Sequence, residues 1–183
     1  VATLPTLRGT TGPARAARVG PRARAALLAA VLLVATGCVT TPPVDARTLD
    51  GRVAWVSDGD TLRIRRGREE AVVRLLHIDA PERDQRGGRD ATRALQRLVR
   101  GEEVRVRTRG HDRYGRWLGE VVRTSDGLDV NHEMVRSGHA WATARGSQRP
   151  RFDAAMRAAQ DARIGLWQDS APVHPRTWRH RDD

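Results

Sequence analysis

The 183-residue chain contains no lysine; all 33 of its Lys-plus-Arg residues are arginine. A Walker A phosphate loop and a pyridoxal phosphate Schiff base both need a lysine, so neither is open to it. A single cysteine, Cys38, excludes an internal disulfide and a cysteine-rich zinc site. Seven aromatics, five of them Trp, cannot build a long base-stacking platform. The apolar run Ala25 to Ala35 has eleven residues, whereas a membrane-spanning helix needs about 20. What is present in excess is positive charge: the formal net charge of +11 points to a polyanionic partner, whether nucleic acid, phosphate or an acidic membrane face. The length suits one domain with a core of its own.

The N-terminus reads as a separate object. Arg8, Arg15, Arg18, Arg22 and Arg24 precede the apolar run without any acid, and small residues (Ala35-Thr36-Gly37) follow it. This is the layout of a secretory signal over residues 1–37. Because Cys38 comes next, the segment resembles a bacterial lipoprotein signal, in which that cysteine becomes the lipidated first residue; cleavage after Gly37 to a free soluble product is the other reading. Ala35 stands where the lipoprotein pattern usually has a larger aliphatic residue. Either way the product is exported, as an envelope lipoprotein or a secreted protein, and any membrane contact runs through Cys38. Without residues 1–37, 28 Arg face 22 acids, a net of +6. Residues 38–48, with Pro42-Pro43, read as a tether, residues 49–168 as the domain, and residues 169–183 as a loose polar tail.

Within the domain, Gly51 to Ser57 suits a covered strand with Trp55 in the core, and Asp58-Gly59 is a hairpin signal. Leu62 and Ile64 alternate with Arg63 and Arg65 in a second strand. Ala71 to Ile78 is apolar on both faces except at Arg74, as a central strand would be. Ala91, Ala94, Leu95, Leu98 and Val99 have helical spacing, stopped by Gly101. Glu103 to Thr108 and Arg116 to Thr124 read as strands. Asp129 caps a short helix ending at Gly138, with Met134 and Val135 inward, and Phe152, Ala155, Met156 and Ala159 mark a last helix before Gly165. Five short strands with interposed helices predict a mainly β protein with α, a five-stranded Greek-key barrel of the OB type.

Three segments carry unusual polar residues: Ser57 to Thr61 at a hairpin tip, Arg74 to Glu82 running into a proline-fixed turn, and Asp112 to Arg116 before a strand. Together they offer carboxylates for a hard cation, a spare carboxylate for base work, and two arginines on strands. Asp58-Gly59-Asp60 alone is an ordinary hairpin turn; it gains meaning beside Asp79 and Glu82. Arg74 within an apolar strand requires an anion or an acid partner, with Glu82 one choice. Trp141 and Trp167 read as core, and Trp117 is open to core or stacking. His132-Glu133 begins a zincin motif, but Arg136 breaks it. His77 reads as a wall residue.

The stretches VSDGDT (56–61), RLLHIDAPE (74–82), DRYGR (112–116), VNHEMVRSG (130–138) and GLW (165–167) resemble, in order and spacing, those of the staphylococcal nuclease family. The resemblance spans roughly residues 49–168 and implies an OB barrel with three helices. It implies that Asp60, Asp79 and the backbone carbonyl of Ala80 ligate Ca²⁺, a hard cation suited to oxygen donors. It implies that Glu82 is the general base, that Arg74 and Arg116 bind the reacting phosphate with their forked donors, and that Arg113 and Tyr114 hold a terminal phosphate. Asp58 would support the metal site. Two features depart from the family: Arg83 to Asp90 is a short polar replacement for a longer loop, and Ala144 and Gly146 stand where pocket tyrosines are common. The implied function is a monomeric calcium-dependent, sugar-nonspecific endonuclease that hydrolyses DNA and RNA and leaves 3′-phosphates. The alternatives are a noncatalytic OB-type nucleic-acid-binding module of the envelope and a phosphodiesterase of small nucleotides.

Overall fold

The computed structural model describes residues 47–181. The signal-like segment 1–37, Cys38 and nearly all of the tether lie outside the described residues. Five strands close a barrel: β1 (Thr48–Val56), β2 (Thr61–Arg66), β3 (Glu69–Leu75), β5 (Glu103–His111) and β6 (Trp117–Arg123). Their order around it is β1-β2-β3-β6-β5, closed by an antiparallel β1–β5 pairing. All pairings in it are antiparallel except β3–β6, so the five-stranded barrel that the sequence predicts is a mixed one. Two-residue strands β4 (Ile78–Asp79) and β7 (Trp141–Ala142) pair beside it. Helices α1 (Gly88–Val99), α2 (Val130–Arg136) and α3 (Arg149–Asp161) cover the barrel, and a short α4 (Pro175–Arg179) follows. No helix among the described residues is long and apolar enough to cross a membrane.

Inward-pointing Leu62, Ile64, Val73, Leu75, Val104, Val106 and Val121 are fully buried, as period-two alternation in a small barrel requires. Helix α1 adds Ala91, Leu95 and Val99 at i, i+4, i+8 spacing, and α2 adds Met134 and Val135. The Asp129 side chain caps α2 by accepting from the His132 amide at 3.0 Å, as its position in the sequence predicts.

Three expectations are corrected. Trp55 is 60% exposed and not in the core, because the β1–β2 register slips between Val53 and Trp55. That bulge inserts one extra residue, so Val53 and Val56 both face inward and Trp55 is turned out. The strand beginning near Ala71 stops at Leu75 and does not reach Ile78: His77 takes a left-handed φ of +70°, which breaks the ladder and redirects the chain into β4. The segment beyond Gln168 is no loose tail. It forms α4 and is tied back at Gln85, whose Nε2 donates to the Val173 carbonyl at 2.5 Å.

Asn131 clamps the sharp turn after β3. It is 1% exposed, donates to the Leu76 and Gly119 carbonyls at 2.9 and 3.0 Å, and accepts from the Val121 amide at 2.9 Å. One side chain thereby satisfies three buried backbone groups where β3, β6 and α2 meet.

Candidate active site

The β1–β2 turn places Asp60 at the mouth of the barrel. The Asp58 carboxylate accepts from the Asp60 amide at 3.0 Å and fixes the turn. Gly59 is needed there: a Cβ would lie 2.7 Å from the Ala80 and Ala91 methyls, so only glycine lets the turn pack against β4 and α1. Asp60 is 7% exposed and Asp79, from β4, 6% exposed. The Ala80 amide donates to Asp60 Oδ2 at 3.0 Å, which binds the second segment to the first.

Arg74 lies between the two carboxylates. Its Nη2 is 3.0 Å from Asp79 Oδ1 and 3.1 Å from Asp60 Oδ2, and its Nη1 donates to the Leu75 and Ile78 carbonyls. The acid partners that a half-buried arginine requires are thus Asp60 and Asp79, not Glu82. Arg116 is oriented by Asp112, which accepts from its Nε at 2.7 Å and from its amide at 3.0 Å. Arg113 and Arg116 flank the exposed Tyr114 ring, 5.0 and 5.5 Å from its centroid.

One cavity of about 360 Å³ brings together Asp58, Asp60, Arg74, Ala80, Glu82, Arg113, Tyr114 and Arg116. Of the predicted site residues on described chain, Asp79 alone does not line it; Arg74 and Arg179 lie over its carboxylate. A larger cavity, about 620 Å³, lies beyond the Gln85–Gly87 turn among Trp141, Trp178 and Val173 and contains none of the predicted residues. Trp117 also stands outside the site: it stacks on His111 at 3.6 Å between centroids and packs against the barrel core. His77 contacts Glu120 and the Phe152 ring, as a wall residue does.

Three participants carried no assigned role in the sequence. Asp112 orients Arg116, Thr61 donates to Asp60 Oδ1 at 3.0 Å, and Arg179 from α4 reaches Asp79 and Glu82. Asp112 and Thr61 lie inside the motif stretches, so their proximity was legible. Nothing local distinguishes Arg179 from the other arginines of a polar C-terminus.

Electrostatics follow from this crowding. Burial pushes the Asp60 carboxyl up to about 7; Arg74 and the Ala80 amide lower it only in part, while Asp58 and Asp79 raise it further. Burial also raises the Asp112 carboxyl, but hydrogen bonds from the Arg116 side chain and from the Arg116 and Tyr114 amides outweigh it and hold that group below the usual range. For Asp60 the folded state holds its proton to higher pH than the unfolded chain, whose carboxyl titrates near 3.8. Its ionisation therefore removes stability as pH rises from about 4 to about 7. In chelator, Asp60→Asn is expected to gain melting temperature relative to wild type across that window, measured as the difference between the two chains at each pH. A pH-independent difference would mean that Asp60 ionises freely in the fold.

No group of three or more His, Cys, Asp or Glu side chains at metal-holding distances occurs among the described residues. The donors that fit a divalent cation are two buried carboxylates, Asp60 and Asp79, with the Ala80 carbonyl in the same turn. All are oxygens, the donor type a hard divalent cation prefers.

The chain is similar to known nucleases over most of its length. The family profile described as staphylococcal nuclease homologue matches residues 72–169, just over half of the chain. An uncharacterized endonuclease of Escherichia coli O157:H7 is 42% identical over 139 residues, covering 76% of this chain and 90% of its own. A micrococcal nuclease of Shigella flexneri is 37% identical over 164 residues, 83% and 93% of the two chains. A probable staphylococcal-like nuclease of rice is 34% identical over 141 residues, 74% of this chain and 42% of its own. With a closed five-stranded barrel and the motif residues gathered at one cavity, the chain belongs to the staphylococcal nuclease family and is a nuclease, a hydrolase of phosphodiester bonds.

Proposed function

We propose that the protein is a calcium-dependent, sugar-nonspecific endonuclease that cleaves DNA and RNA and leaves 3′-phosphates, acting as a monomer. The observation that carries this reading is the convergence of Asp60, Arg74, Glu82 and Arg116 on one cavity, with Asp79 directly beneath Arg74. Asp60, Asp79 and the Ala80 carbonyl would hold Ca²⁺. Bound there, the ion supplies a hard positive charge that offsets the charge gathering on the phosphate. Glu82, half-exposed at the rim, accepts the proton of the attacking water. Arg116 and Arg74 direct N–H donors at the phosphate oxygens and stabilise the added charge of five-coordinate phosphorus. Arg113 and Tyr114 hold a neighbouring phosphate. These contacts address the phosphate, which DNA and RNA share, and all the site residues come from one chain.

The test is degradation of supercoiled plasmid and of RNA with Ca²⁺, repeated in excess chelator. Cleavage should require Ca²⁺ and stop on its removal; robust cleavage in chelator would overturn the metal assignment.

The same proposal places the enzyme outside the cytoplasm, anchored through Cys38, on the strength of the signal-like residues 1–37. Cys38→Ser should move the folded nuclease from the membrane fraction to the soluble one. An unchanged distribution would show that another segment holds it.

A further inference from the structure

The carboxylates of the site are already paired with a cation, and it comes from the C-terminus. Arg179 directs Nη2 to Asp79 Oδ2 at 2.9 Å and Nη1 to Glu82 Oε1 at 2.6 Å, with Asp79 Oδ1 at 3.4 Å. Its guanidinium therefore lies on the two groups that the reaction needs free: a proposed metal ligand and the proposed base. The segment that carries it is held to the turn bearing Glu82. Gln85 accepts from the Glu82 amide at 3.1 Å and donates to the Val173 carbonyl at 2.5 Å, and Trp178 Nε1 donates to Asp84 at 3.3 Å.

We propose that residues 169–181 form an autoinhibitory latch in which Arg179 stands in for the divalent cation until the cation displaces it. The inference rests on the calcium reading above. Asp79 Oδ1 is 3.0 Å from Arg74 and Oδ2 2.9 Å from Arg179, so each oxygen already has a guanidinium against it. Arg74 holds Oδ1, whereas a divalent ion bound through Oδ2 would need the place that Arg179 Nη2 takes at 2.9 Å, and the two positive charges repel at that separation. Occupancy is thus exclusive. In the closed state the Arg179 guanidinium also occupies Glu82 Oε1 at 2.6 Å, the carboxylate that the proposed reaction needs for its water. The latch is built to be released: α4 has five residues, too few to persist alone, and the Arg179 side chain is 43% exposed. When the latch opens, Asp79 and Glu82 become available together, so metal loading and base activation are one event.

The test uses the full chain and its Arg179→Ala variant, titrated calorimetrically with Ca²⁺ alone. Limited trypsin digestion with and without Ca²⁺ follows the arm, with cleavage after Arg176, common to both chains, mapped by mass. A latch closed about nine-tenths of the time weakens apparent affinity about tenfold. Arg179→Ala should therefore bind Ca²⁺ about tenfold more tightly than wild type. In wild type, Ca²⁺ should speed cleavage within the arm; in the variant, the arm should be cut equally fast with or without it. Equal affinities for the two chains, or an arm whose cleavage ignores Ca²⁺ in wild type, would overturn the latch and leave the calcium reading standing. Absence of Ca²⁺ binding by either chain would overturn both. A raised KM for DNA in Arg179→Ala at saturating Ca²⁺, with unchanged Ca²⁺ affinity, would make Arg179 a substrate contact instead.

Discussion

Glu82→Gln is expected to lower kcat by about 10²–10⁴-fold, the usual worth of a positioned general base. The substitution preserves length, shape and one oxygen, so Arg179 retains an acceptor and the surrounding turn, held by the Gln85–Glu82 hydrogen bond, has no reason to move. What disappears is the ability to take a proton from water at neutral pH. Because the role proposed for Glu82 is toward the water and not the phosphate, KM should change little. Single-turnover cleavage of a defined oligonucleotide measures the chemical step apart from product release. A wild-type rate would remove Glu82 from the role of base.

Arg116→Lys should cost roughly 10²-fold or more in kcat, comparable to the loss of one preorganised donor to a developing oxyanion. Charge is conserved, so long-range attraction to nucleic acid stays as it was. The planar fork is lost. In the structure Nε is committed to Asp112 at 2.7 Å, while Nη1 is only 3.4 Å from Thr61 Oγ1 and so remains the freer donor for a phosphate. A lysine ammonium would settle on Asp112 and leave that direction vacant. Binding of a non-cleavable oligonucleotide should weaken far less than kcat falls; equal losses would place Arg116 in ground-state grip alone. Arg74 is a poorer test of the same idea, since it also ties together Asp60, Asp79 and two backbone carbonyls, and its replacement would disturb the site as well as the chemistry.

Barrel and helices were legible in the sequence because they depend on alternation and helical spacing, which Leu62/Ile64, Val104/Val106 and Ala91/Leu95/Val99 display openly. The bulge at Trp55 was not, since one added residue changes which side chain faces inward without altering the apolar count. The break at His77 was hidden for a similar reason: an apolar run continues through it, and the cause is a left-handed backbone held by Asn131 from a helix far along the chain. At the site, the motif stretches named the carboxylates and arginines, whereas their pairing could not be read. Arg74 was matched to Glu82 as one choice, but a two-residue strand brings Asp79 nearer, and Glu82 takes Arg179 from 97 positions away.

That separation bears on how the enzyme comes into being. The bond from Arg116 to Thr61 joins residues 55 apart, the β1–β5 closure is accompanied by an Arg47–Thr108 bond across 61, and Arg179 meets Asp79 across 100. Contacts this distant form only after long stretches of chain have been brought together, which slows folding and makes it strongly cooperative. No N-terminal fragment leaving a ribosome contains both halves of the phosphate site before Arg116 has emerged. The arm that bears Arg179 emerges later still. A nascent chain is thus without a complete site for much of its synthesis, and between barrel closure and arrival of the arm Asp79 and Glu82 stand without their Arg179 partner.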